Sequence, residues 1–255
     1  MSVAILSLAI VLPATTAIAW QRHSRAFWGS LFFGFGAFAV YGLVRIPLGQ
    51  VLTHPLFLKL LDPLPDLFMN FPTAWVIWTF IFGLFREGIR WLTFFFPATS
   101  VRTWKECVLF GLGYSCLVAV QQIGANISYS AASQQKNLSQ YSFVELIQVV
   151  NDMTLWWAAL YSALNWGVVE TIFNIGTCLL VMFSVRRQNV WLFLAAVLWH
   201  GLYFELPRAV FFSSVGWDVF GIHSRYMNTT ASFLSQTLVA ILPFLLIFRL
   251  RKTMS

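Results

Sequence analysis

Apolar runs long enough to cross a bilayer recur along the whole of this 255-residue chain and leave little sequence over for anything else. Each crossing needs ~20 residues. Inside lipid the backbone must satisfy its own hydrogen bonds, so each run reads as a helix. The runs cover about 3–20, 27–52, 72–97, 104–125, 155–184, 189–212 and 229–248. They predict an all-α polytopic bundle of about seven spans, one transmembrane domain over 1–255. Charged residues are 10% of the chain, whereas soluble domains carry roughly 25%. The mean hydropathy of +0.74 agrees. A soluble enzyme is excluded. Although the net charge is +7, no nucleic-acid partner is implied, because the basic residues follow membrane topology.

That topology is read from Lys and Arg in the short loops. Arg22 and Arg25, Arg102 and Lys105, Arg186 and Arg187, then Arg249, Arg251 and Lys252 follow spans one, three, five and seven. The remaining loops hold only Lys59, Lys136 and Arg225, with most of the loop acids. The alternation predicts an outside N-terminus and a cytoplasmic C-terminus, with the plasma (inner) membrane as the expected location. No basic residue precedes the first apolar run, so an uncleaved span is favoured over a signal peptide. Pro13 is expected to break that span and Pro47 to kink the outer end of the second.

Between the spans, residues 53–70 carry Asp62 and Asp66 beside prolines and suit a short interfacial helix. Residues 126–153 read as a polar extracytoplasmic loop, whose FVELIQVV segment suits a surface amphipathic helix. Asn126, Asn137 and Asn228 begin Asn-x-Ser/Thr sequons on the predicted outer side. Cys107, Cys116 and Cys178 stand singly among apolar neighbours and read as small core residues rather than disulfide or zinc ligands.

Charges inside a span are costly unless they pair or face a polar interior. The stretch FREGIRW, Phe85–Trp91, holds Glu87 and Arg90 three residues apart, hence on one helix face. At ~1.5 Å of rise per residue, six groups fall at similar depth: Glu87, Arg90, Tyr114, Glu170, Asn174 and His200. Glu170 and Asn174 are four apart and share a face. Gly83, Gly111, Gly113, Gly167 and Gly201 lie near this layer and allow close backbone approach. A second cluster nearer the outside comprises Arg45, Glu205 and Arg208, where Glu205 and Arg208 are spaced to pair on their own helix. Each set has a purely structural reading, as ion pairs that order helices. A histidine with carboxylates from several helices also suits a zinc ion with an activated water. The candidate ligands are then His200, Glu87 and Glu170, and a third good ligand is not evident because Arg90 engages Glu87.

With these residues in view, the chain resembles the YhfC family of intramembrane metalloproteases, relatives of the CAAX-prenyl-protease group. It is also similar to the anterior-pharynx-defective scaffold subunit of gamma-secretase. The resemblance runs from VRIP in span two to LWHGL in span six. The family's FEExxR motif appears as FREGIRW, with Arg86 at the first glutamate and Glu87 and Arg90 matching. Its GHGxxEA motif appears as GYSCLVA, with Tyr114 at the histidine and Val118 at the glutamate. Asn174 is the nearest counterpart of the span-five histidine, and His200 is kept in span six.

The resemblance implies Glu87, Arg90 and His200 as the surviving catalytic set, in active or vestigial form. Tyr114 and Asn174 are poor zinc ligands, and the absent first glutamate removes the obvious general base. The expected function is therefore a degenerate, metalloprotease-like membrane protein that binds a membrane partner or peptide as a scaffold, without cofactor. Tyr114, Glu170, Asn174, Arg45, Glu205 and Arg208 are its candidate binding residues, with membrane lipid around them. The alternative is an active zinc peptidase cleaving a membrane peptide. A small transporter is a third reading, weakened by the lack of an internal repeat.

Overall fold

The computed structural model describes residues 2–52, 73–97, 103–133 and 156–215, with residues 234, 236–243 and 245 near the C-terminus. The segments expected at 53–70 and 143–150, and the sequons at Asn137 and Asn228, lie outside the described residues. What is described is helical: α1 (Ser2–Ser24), α2 (Gly29–Leu52), α3 (Thr73–Phe95), α4 (Trp104–Ser133), α5 (Trp156–Leu164), α6 (Glu170–Arg187) and α7 (Val190–Val215). A π-helical segment, Asn165–Val169, joins α5 to α6 without a break. Residues 236–243 are also helical, at the seventh expected span. The chain is thus an all-helical membrane protein, as its apolar runs require.

Among the described residues, four stretches are long and apolar enough to cross a membrane: Ala4–Ser24, Gly29–Val51, Trp104–Ala125 and Ala159–Arg187, with Val190–Phe204 a shorter apolar helix. Helix α3 has the length but carries Arg86, Glu87 and Arg90. All three are buried, so α3 turns them away from lipid.

Two sequence expectations are revised. Pro13 does not break the first span, because α1 runs through it from Ser2 to Ser24. A lost proline N–H leaves one carbonyl unpaired, whereas ending the helix in lipid would strand several, and each costs kilocalories. The fourth helix continues past residue 125 to Ser133, into the stretch read as a polar loop, and takes Asn126 with it. The fifth span lies where it was expected but also holds a π turn, which adds a residue per turn just ahead of Glu170. Such insertions recur at functional sites.

Helix α6 is the axis of the bundle. Nearly all of its residues from Glu170 to Val185 are buried, whereas few residues of α2 are. It packs on α4, α7 and α3, while α1 and α2 flank α4 from outside. Glycine sets the closest approaches, which association in lipid depends on. A Cβ on Gly113 would overlap the Leu31 carbonyl of α2, and one on Gly34 the Phe110 carbonyl of α4. At Gly111 it would come within 2.9 Å of Ile175 Cα on α6. The remaining glycines at this depth behave alike, with Gly167 against Ala9, Gly201 against Phe80 and Gly83 against the His200 ring.

The basic ends of the helices gather on one face. Trp20 Nε1, near the end of α1, donates to the Lys105 carbonyl at the start of α4 at 3.0 Å. Trp91 and Phe95 of α3 border the same groove as Val185 and Gln188 at the end of α6. Arg22, Lys105, Arg186 and Arg187 therefore share the side that the loop charges mark as cytoplasmic.

Candidate functional site

Helices α3, α4, α6 and α7 each bring polar side chains to one buried layer. Glu87 and Arg90 pair as their spacing predicts. Arg90 Nη1 donates to Glu87 Oε1 at 2.8 Å and to Oε2 at 3.0 Å. The same nitrogen reaches Thr177 Oγ1 at 2.6 Å, and Arg90 Nη2 reaches Asn174 Oδ1 at 2.6 Å. Both members of the pair are fully buried. A charge pair so far from water is stabilised as its remaining donors and acceptors are met. Asn174 and Thr177, one turn apart on α6, meet both terminal nitrogens of Arg90 and leave its Nε without a partner.

His200 of α7 joins from the opposite side, with Nδ1 3.3 Å from Glu87 Oε1. A carboxylate acceptor requires the proton on Nδ1, which leaves Nε2 as the acceptor nitrogen of a neutral ring. Gly83, one turn before Glu87, lies against the ring and makes room for it.

Arg86 is the member that sequence reasoning missed, having been counted only as a lost glutamate. Its Nη2 donates to Asn174 Oδ1 at 2.7 Å and lies 3.5 Å from Glu170 Oε1. The Arg86 guanidinium carbon is 5.0 Å from the Tyr114 ring centroid, and that of Arg90 is 3.9 Å away. Tyr114 thus faces two cations with its negative π surface, a contact strengthened by desolvation. Phe38 meets the same ring edge-on at 5.1 Å. The spacing of Arg86 and Arg90, four apart on one helix face, was the available signal. Thr177, three residues beyond Asn174, carried the same kind of signal.

The other expected residues fall as follows. Glu170 is buried and paired with Arg86 rather than gathered with Glu87 and His200. Val118, at the family's glutamate position, is buried on α4. Arg45 is exposed on α2 and lies 5.9 Å from the Phe82 ring centroid. Glu205 and Arg208 belong to α7, but their side chains are outside the described residues. Arg86, Glu170, His200 and Val118 border a cavity of about 310 Å³, which also meets Arg45, Gln121 and Gln122.

The YhfC intramembrane metalloprotease family matches residues 8–219. The chain belongs to this family. No curated protein and no solved structure matches it. Of the positions matched to the family motifs by sequence, Arg86, Tyr114, Asn174, Glu87, Arg90 and His200 fall in this one buried layer, and Val118 borders the cavity beside it. Arg86 links two of the others, since it bonds Asn174 and faces Tyr114.

A metal ion is the group the family name implies, and this donor set does not fit one. A catalytic zinc takes three protein ligands and a water. Among the described residues no group of three His, Cys, Asp or Glu is gathered for a metal. Each carboxylate here is already engaged by a guanidinium. The two guanidiniums already neutralise the two carboxylates of the layer, so a dication would find no net negative charge to hold it.

Proposed function

We propose that this family member has given up metal-dependent hydrolysis and acts as a binding or scaffold subunit for a membrane partner or peptide. The reading rests on one observation, the Arg86 guanidinium held by Asn174 and Glu170 over Tyr114. A fixed cation at this position balances Glu170 and replaces the charge that a metal would bring, while supplying neither a Lewis acid nor a base. A scaffold role asks only that the bundle stay rigid and present a polar cavity, which the interlocked α3, α4 and α6 provide. The plasma membrane, with the N-terminus outside, is the setting we infer from the loop charges.

Family membership and the His200–Glu87 contact favour a second reading, an active peptidase built on Glu87, Glu170 and His200. The two readings separate in proteoliposomes presented with a panel of transmembrane peptides. Our reading expects no cleavage that responds to a chelator or to His200→Ala. Chelator-sensitive cleavage lost in His200→Ala would overturn it.

A further inference from the structure

The polar atoms left unpaired around Arg86 are all able to donate. Arg86 Nε, Arg90 Nε, Asn174 Nδ2 and the Tyr114 hydroxyl are buried without a hydrogen-bond partner. The orientation of the Asn174 amide is fixed, because its oxygen accepts from both arginines, which leaves the NH2 side as the donor. Buried polar groups of this kind are normally met by a partner, water or ligand. What this set lacks is an acceptor.

The cavity beside Arg86 points the same way in charge. Among the described residues its lining holds two guanidiniums, Arg45 and Arg86, against the single carboxylate of Glu170. Glu87 and Arg90 cancel each other behind it. One positive charge therefore remains, and Arg86 is buried where it borders the cavity, so charge attraction there is stronger than in bulk water. The amide side chains of Gln121 and Gln122 add polar reach, while Phe38, Phe82 and Phe204 make much of the remaining wall apolar.

We propose that the cavity is a receptor for a single carboxylate carried on an apolar body, held by Arg86 at its buried end and Arg45 at its exposed one. Of the residues with an unpaired donor, Arg86 lines the cavity whereas Arg90, Asn174 and Tyr114 lie behind it; a carboxylate offers acceptors only and one negative charge, so it suits Arg86 and the charge left in the lining. A doubly charged phosphate would exceed the charge available. The proposal rests on reading the site as one of binding rather than hydrolysis. The carboxylate can arrive laterally as a fatty acid of the bilayer or from water as a small aromatic acid.

The test is binding of oleate and of phenylpropionate to the purified full chain in mild detergent, each beside its alcohol analogue, by equilibrium dialysis. The alcohols control for adsorption to the lipid-facing surface. Either acid should bind at least about tenfold more tightly than its alcohol, the difference expected of one charge-assisted contact. Arg45→Gln should reduce acid binding by about tenfold and leave alcohol binding unchanged. Arg45 is exposed, so this variant keeps the fold; Arg86→Gln, if it elutes as the parent does, should abolish the preference. Selective binding of oleate assigns the bilayer source and of phenylpropionate the aqueous one. Equal binding of acid and alcohol, no binding of either acid, or full affinity in Arg45→Gln would overturn the proposal and leave the metal-free reading standing. Acid binding abolished by a chelator would instead overturn both.

Discussion

Replacing Arg90 by leucine tests whether the charged layer holds the bundle together. The substitution removes two hydrogen bonds to Glu87, one each to Thr177 and Asn174, and the cation over Tyr114. Leucine restores some apolar contact but leaves the Glu87 carboxylate, fully buried, with only His200 beside it. Breaking a buried pair from one side costs about 3–5 kcal/mol, mostly from the charge left behind. Against a total stability of about 5–15 kcal/mol, that is a large share. Glu87→Gln leaves the buried Arg90 cation uncompensated and should also cost about 3–5 kcal/mol, toward the lower end because the glutamine oxygen still accepts from Arg90 while Asn174 and Thr177 keep their bonds. The double variant Glu87→Gln/Arg90→Leu should be more stable than Arg90→Leu alone, since no unpaired charge remains. Unfolding in mixed micelles by rising dodecyl sulfate, followed by the fluorescence of the 12 tryptophans, measures all three. An Arg90→Leu protein within about 1 kcal/mol of the parent would refute the reasoning.

Three further outcomes follow from particular contacts. Gly113→Ala drives a methyl into the Leu31 carbonyl and should destabilise by about 1–3 kcal/mol, whereas Gly36→Ala, facing open space, should be neutral or stabilising by up to ~1 kcal/mol; the same denaturation series checks both. Tyr114→Leu loses the ring beneath two guanidiniums and should cost about 2 kcal/mol more than Tyr114→Phe, which keeps it. The native cysteines are all buried, so single cysteines at His23 and Gln188 should label cleanly with an impermeant maleimide. Both should react only when the cytoplasmic face is open, and labelling from opposite faces would contradict the shared basic side.

Much of the fold was legible because lipid leaves few options. Apolar length announces a helix, and the loop charges mark one face, which Trp20 and Lys105 then tie together. The ion pair of Glu87 and Arg90 and the shared face of Glu170 and Asn174 were equally readable, because helical spacing fixes them before any packing does. Which helix faces which was not readable. Glu170 sits at a depth similar to Glu87 and His200, yet depth says nothing of azimuth, and the structure gives it to Arg86 instead. The π turn at Asn165–Val169 rotates Glu170 and everything after it by an amount no hydrophobic pattern records. Arg86 escaped notice for a related reason. Compared with a motif it is a missing glutamate, whereas in three dimensions it is the partner of Asn174, Glu170 and Tyr114 at once. Residues that read as separate losses along the chain are joined through Arg86 in the bundle.

The account stands on the claim that a guanidinium has taken over the place of a metal in this site. Metal content of the protein, purified in mild detergent without chelators, tests it most directly. The account predicts zinc far below one ion per chain, at the same level in the parent and in His200→Ala. Stoichiometric zinc in the parent that disappears in His200→Ala would contradict it.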